Sequence, residues 1–139
     1  MDRDTVSARQ RLPDAELVCA DLEAGTWPLQ DNGQLRTFGA VVVTNYLWRP
    51  LLDTLVNSVA PGGVLLYETF ATGNEALGRP SRPDFLLLPG ELLRSCSGMD
   101  VVAYEHGYLP DPPRFVQRIA AMQPPVNGAS PLESKCLAL

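Results

Sequence analysis

Val41, Val42 and Val43 form a β-branched run with no polar alternation. That is the pattern of a strand covered on both faces, as in a parallel sheet. Polar residues begin where the run stops, at Thr44, Asn45 and Tyr46. Leu51, Leu52, Leu55, Val56 and Val59 then recur at helical spacing and make a face for packing on a sheet. Pro50 suits the first turn of that helix, where its missing N–H is not needed. Pro61-Gly62-Gly63 is expected to stop the helix and turn the chain into a second buried strand, Val64 to Tyr67. This strand closes on Glu68 and Thr69. Ligands of open α/β sheets sit beyond the carboxyl ends of strands, so both polar tips are where chemistry is expected.

The flanking segments read less sharply. Residues 5 to 12 form a short helix ended by Pro13, and Glu16 to Ala20 a small apolar strand closing on Asp21. Trp27-Pro28-Leu29 and the Asp31-Asn32-Gly33 cluster make a loop into the strand at 40 to 46. Residues 71 to 90 are a long polar loop carrying Gly73, Gly78, Pro80, Pro83 and Pro89. Loops of that length in compact domains tend to be lids or binding segments. Glu91 to Cys96 reads as a brief helix. Asp100 to Leu109 and Arg114 to Met122 read as two strands joined by the tight Pro110-Asp111-Pro112-Pro113 connection, an antiparallel hairpin at one sheet edge. From Pro124 the chain is rich in Pro, Gly and Ser and is expected to be a disordered tail. The organisation is therefore one domain over 1–123 and a tail over 124–139.

Composition narrows the partners more than the fold. The 139 residues suit one domain with a real core. A net charge of −5 with Lys135 as the single lysine argues against an electrostatic grip on nucleic acid or an anionic membrane. Cys19, Cys96 and Cys136 are odd in number and widely spaced, which disfavours a disulfide framework. Cys19 is expected in a strand core and Cys96 in a helix. His106 is the only histidine, so a metal site is poorly supported. No apolar run approaches the roughly 20 residues that cross a bilayer. The charged Met1-Asp2-Arg3-Asp4 start has no signal-peptide character, and the expected location is the cytoplasm.

The segments VVVTNYLWRP and PGGVLLYETF, in this order and spacing, resemble the second half of a class I S-adenosylmethionine-dependent methyltransferase. More narrowly, YETFATGNE with GRPSRPDFLLLPGELL is similar to small bacterial methyltransferases of the tellurite-resistance and thiopurine-like kind. The resemblance covers roughly residues 1 to 123. It implies an α/β fold with a partial Rossmann-like methyltransferase sheet, mostly parallel with a C-terminal antiparallel hairpin. It also implies S-adenosyl-L-methionine as methyl donor and methylation of a small-molecule acceptor. Asp2 matches the acid that binds the ribose hydroxyls. Asp21 matches the acceptor of the adenine amino group, with the Leu22 backbone N–H given to the ring. Asn45 and Tyr46 match the residues near the methionine part of the donor. Glu68, Thr69 and the loop through Asn74, Arg79, Arg82 and Asp84 would border the acceptor substrate.

The chain departs from that family in one respect. The first strand and its glycine-rich loop have no counterpart, and no GxGxG occurs. The expectation is a truncated or mis-started reading frame, or one half of a split protein. A second reading is a non-catalytic methyltransferase-like fragment that associates as a homodimer through an exposed sheet edge beside Val41–Val43. Bland roles stand beside the sharp ones. Asp21 suits a helix N-cap, Tyr46 and Trp48 suit core aromatics, and Arg79 and Arg82 suit a solvated surface beside Asp84. Glu68 suits an arginine partner, and His106 a packed or edge position. No nucleophile–base pair is supported, so no catalytic residue is assigned.

Overall fold

The computed structural model describes residues 5–11 and 13–126. It divides into two compact units, Met1–Arg36 and Thr37–Leu139. The first unit holds helix α1 (Thr5–Arg11) and a hairpin of β1 (Gln30–Asp31) and β2 (Gln34–Leu35). Asn32 and Gly33 turn that hairpin with φ of 52° and 77°. Positive φ at both central residues is the type I′ geometry that matches the twist of the flanking strands. The cluster read as a loop is thus a turn. The strand expected at Glu16–Ala20 does not form, and Cys19 is exposed rather than in a core. Five residues with no pairing partner have nowhere to satisfy their backbone as a strand.

The second unit is built on a four-stranded sheet in the order β3-β4-β6-β5. Its strands are β3 (Phe38–Thr44), β4 (Val59–Phe70), β5 (Asp100–Pro110) and β6 (Pro113–Met122). The pair β3–β4 is parallel, whereas β4–β6 and β5–β6 are antiparallel. The expected C-terminal hairpin is therefore present, turned at Asp111 and Pro112. A 3₁₀ turn over Arg49–Leu51 and helix α2 (Leu52–Asn57) make the crossover from β3 to β4, with Pro50 in the first turn. Helix α3 (Glu91–Ser95) leads towards β5, with Cys96 buried at its C-cap. Among the described residues no helix is long and apolar enough to cross a membrane.

The Pro-Gly-Gly motif does not end the helix. The helix ends at Asn57, capped at Ser58, and β4 already runs from Val59 through Pro61, Gly62 and Gly63. Gly62 has φ of +75° and gives its N–H to the Gln123 carbonyl at 2.9 Å. Gly63 is packed so closely that a Cβ would lie 2.8 Å from the Ala60 carbonyl and 2.9 Å from that of Gly39. These glycines bend a paired strand where β3 passes close to it.

Alternation along the strands sorts the sheet into two faces. Val43, Leu65, Tyr67, Ile119 and Ala121 are buried on the face carrying the core. Leu52, Leu55 and Leu92 from α2 and α3 are also buried, and contacts join α2 to β4 and α3 to β6. Among the described residues the opposite face is open. Register aligns Val42, Leu66, Ala120 and Ala103 across it. Val42 is 63% exposed and Leu66 43%. The expectation that the valine run is covered on both faces is thereby corrected. An unbroken apolar run also arises where one layer packs and the other side of the strand lies bare.

Candidate functional site

The carboxyl ends of β3 and β4 meet through the backbone. Asn45 adopts φ of +53° directly after β3, and its N–H donates to the Glu68 carbonyl at 3.0 Å. Asparagine tolerates the left-handed region better than most residues, which suits the sharp exit from the strand. Tyr46 follows half-buried, and its carbonyl accepts the Tyr67 hydroxyl at 2.8 Å. Burial, and then the proximity of Tyr46, push the Tyr67 phenol well above its ordinary pKa, so it stays a neutral donor.

A cavity of about 430 Å³ lies on the open face. Val42, Leu66, Ala103 and Ala120 form its apolar floor, and Thr44, Glu68, Glu105 and Arg118 its polar end. The polar groups stand in one row, because Thr44, Glu68, Arg118 and Glu105 are successive register partners. Arg118 donates to Glu105 and lies 3.6 Å from Glu68, while Arg114 reaches Glu68 at 4.0 Å. The hydrogen bond to Glu105, its charge, and then Glu68 raise the pKa of the Arg118 guanidinium above its ordinary value. The row holds two carboxylates and an arginine as charged groups above an apolar floor.

The segment 71–90 is tied down rather than loose. Asn74 is buried; it donates to the Pro80 carbonyl at 3.0 Å and accepts the Phe115 N–H at 3.2 Å. Gln117 is buried as well, giving a hydrogen bond to the Leu88 carbonyl at 2.6 Å and accepting the Leu92 N–H at 3.3 Å. Arg49 makes the third tie. Its guanidinium grips Glu91 bidentately at 2.7 and 3.0 Å, and donates to the Asp84 and Leu86 carbonyls at 3.0 and 2.9 Å. Glu91 in turn accepts the Leu88 N–H at 2.7 Å. Burial raises the Glu91 carboxyl, but the hydrogen bonds from Arg49 and Leu88 and the charges of Arg49 and Arg94 outweigh it. The net effect holds that carboxyl below its ordinary range. Burial also lifts the Cys96 thiol to about 11, which keeps it an unreactive core group.

The residues singled out from sequence fall into different places. Glu68 lines the cavity, and Asn45 and Tyr46 adjoin it along the chain. Thr69 is buried on the covered face, since alternation turns it away from Glu68. Asn74 spends its amide on structural ties. Arg79 is exposed; Arg82 is too, pairing with Asp84 at 2.8 Å and lying 5.2 Å from the centre of the Phe85 ring. His106 is exposed on the edge strand β5. In the first unit Leu22 is half-buried, and Asp21 is exposed with one carboxylate oxygen accepting the N–H groups of Glu23 and Ala24 at 3.0 and 3.2 Å. Asp21 thus caps a turn. Asp2 and Cys136 lie outside the described residues, as does all but 124–126 of the expected tail. Among the described residues no cluster of His, Cys, Asp and Glu could hold a metal ion.

Sequence reasoning missed Arg49, Glu91, Gln117, Arg118 and Glu105. Arg118 and Glu105 could have been found by writing out the hairpin register. The partners of Arg49 lie 35 to 42 residues away, and no local signal marks them.

No protein-family model matches the chain, and no curated protein matches it significantly. Solved structures do match its fold. The N-methyltransferase NodS from Bradyrhizobium japonicum WM9 superimposes with a TM-score of 0.56 at 16% identity, over 84% of this chain and 66% of that one. The [4+2]-cyclase SpnF superimposes with a TM-score of 0.57 at 16% identity, over 86% of this chain and 60% of that one. The chain thus spans under two thirds of the length of either structure. Its mixed sheet has the Rossmann-like fold of the methyltransferase type. A methyltransferase and a cyclase share it, so the reaction has to be argued from the site.

Proposed function

We propose that this chain carries the acceptor-side half of an S-adenosylmethionine-dependent methyltransferase acting on a small molecule. The observation that supports it best is the joining of the β3 and β4 tips beside an apolar cavity that ends in Glu68. The residues present suit the donor's chemistry: the Glu68 carboxylate, between Arg114 and Arg118, would face its cation, and the bound donor would cover the apolar floor. S-adenosylmethionine would supply an activated methyl group on a sulfonium centre. Glu68, held in place by Arg118 and Arg114, would set the electrostatic potential at the cavity's polar end. Thr44 would offer a hydroxyl to orient a polar ligand group, and Val42 and Leu66 would exclude solvent beneath it. Asn45 and Tyr46 would border the donor. Arg79 and Arg82 would meet the acceptor from the outer part of the segment pinned by Arg49. Positioning and desolvation of this kind are worth up to about 7–11 kcal/mol for well-aligned partners, and require no nucleophile from the enzyme.

Isothermal titration of the whole chain with S-adenosylmethionine and with its demethylated product tests the proposal. Binding of both, weakened in Glu68→Ala and unchanged in Arg94→Ala, is the expected result. Absence of binding by either ligand overturns it.

A further inference from the structure

Arg49 follows Asn45 by four residues and opens the 3₁₀ turn into which the chain leaving β3 runs. The connection between them is held at several points. The Asn45 N–H is given to the Glu68 carbonyl, the Tyr46 carbonyl takes the Tyr67 hydroxyl, and Leu47 is 4% exposed. Both bonds lead to β4, and the residue between Tyr46 and Trp48 is buried, so the connection has no slack. A displacement at Asn45 is therefore carried to the Arg49 backbone.

The Arg49 side chain carries it further, to a part of the chain 35 to 42 residues away. A guanidinium is planar and offers its donors in a fixed fork, so the Asp84 and Leu86 carbonyls and the Glu91 carboxylate are held at set positions on one rigid group. The two carbonyls matter most for transmission, because backbone atoms follow the fork only if the chain itself moves. Other ties of the same segment lead elsewhere: Gln117 joins Leu88 to β6, and the Leu87 N–H joins the Phe70 carbonyl at the end of β4. Arg49 is what connects the segment to the exit of β3. After burial and Tyr46, the charges of Glu91 and Arg49 also act on the Tyr67 phenol, in opposite directions, so the hydroxyl that holds Tyr46 belongs to the same cluster.

We infer that Arg49 is a positioning residue that couples the exit of β3 to the segment 82–91, so that the two shift as one body. What the coupling serves rests on the proposed function. The donor bordered by Asn45 and Tyr46 would fix, through Arg49, the segment from which Arg82 would meet the acceptor. Donor binding then favours acceptor binding, and the acceptor tightens the donor by the same factor, since coupling between sites is reciprocal. The linkage itself needs no ligand, because its bonds are those of the free chain. A residue that only stabilised the segment would loosen it when removed, but would not make it respond to a change at Asn45.

Residue-resolved amide exchange of the whole chain tests the coupling from its far end. Asn45→Ala puts a strained residue at φ of 53° and touches no partner of the segment 82–91. It should quicken exchange at Leu86 and Leu88 by at least about fivefold while the β4–β6 pairing stays protected. Asn45→Gly, which accepts that φ, should leave both rates as they were. In an Arg49→Lys background, where the charge remains and the fork is lost, Asn45→Ala should add nothing at Leu86 and Leu88. The demethylated product of S-adenosylmethionine, at a concentration where titration shows binding, should slow both amides in the wild type and not in Arg49→Lys. Rates indifferent to Asn45→Ala, or equally responsive with Lys at position 49, overturn the coupling. A rise shared equally by β4 and β6 is global loosening and overturns it too, as does binding without slowing. Absence of binding overturns the proposed function instead, and the substitutions alone then decide the coupling.

Discussion

The two faces of one sheet put the same residue types to opposite use. On β4, Leu65 is wholly buried under the helices, whereas its neighbour Leu66 is 43% exposed on the open side. On β6, Ile119 and Ala121 are buried and Ala120 lies between them on the other face. Nothing in the composition of these strands distinguishes the faces, since both are apolar along their middle. What differs is the layer above them. The crossovers place α2 and α3 on the same side, and the polar residues Gln117 and Thr69 are enclosed there, Gln117 hydrogen-bonded to Leu88 and Leu92. The covered face is where stability resides, and the open face is where binding energy is still available.

The sharpest way to break the comparison is to truncate the two adjacent leucines. Leu65→Ala should cost about 2–5 kcal/mol, the lost transfer energy plus a cavity that the helices cannot collapse. Leu66→Ala should cost less than about 1 kcal/mol in the monomer, because its side chain already meets solvent. Urea unfolding midpoints at equal slope measure both. Equal costs would mean that the open face is covered after all.

Next in size is the latch on the segment 82–91. Glu91→Gln leaves the Arg49 guanidinium without its carboxylate and should destabilise by about 1–3 kcal/mol. The Arg49 side chain is 36% exposed, so solvent screening holds the effect towards the lower end. Amide exchange should quicken at Leu86 to Leu88 while β4 and β6 stay protected. Gln117→Leu should act similarly at Leu88 and Leu92, since it removes both hydrogen bonds while keeping an apolar fill. If these exchange rates do not change, the ties do not hold the segment.

The elements local pattern could reach were legible in the sequence. The hairpin, α3 and the order β3–α2–β4 follow from periodicity and proline placement, but β4, expected over Val64 to Tyr67, runs from Val59 to Phe70 through the Pro-Gly-Gly motif. The chain around Glu16–Ala20 misled because a few apolar residues look the same in a strand and in a coil. The segment 71–90 was legible only as a long loop of the lid or binding kind; Asn74, Gln117 and Arg49 tie it down by long-range hydrogen bonds that no local reading detects. At the site, Glu68 could be chosen because strand ends carry ligands in such sheets. Its arginine partners came from the antiparallel register, which becomes visible only once β4 and β6 are known to be neighbours. Thr69 shows the reverse error: being next to Glu68 in sequence put it on the other face.

Acid should loosen the latch before it affects the rest. The folded-state pKa of Glu91 is depressed, so its contribution is complete above the ordinary value of 4.5 and is lost as pH falls through the lowered one. Exchange at Leu86 to Leu88, corrected for intrinsic rate, should therefore rise selectively below about pH 4.5 in the wild type. Glu91→Gln should remove that rise, because the amide does not titrate. The smallest effect belongs to the outer end of the same segment. Arg82 and Asp84 form an ion pair with both side chains about two-thirds exposed. Arg82→Ala should change stability by less than about 0.5 kcal/mol and leave exchange at Leu86 to Leu88 as it was. A large effect at Arg82, or none at Glu91, would reverse the assignment of which arginine holds the segment. The comparison rests on burial: the same charge contact is firm where Glu91 is 12% exposed and slack where water reaches both partners.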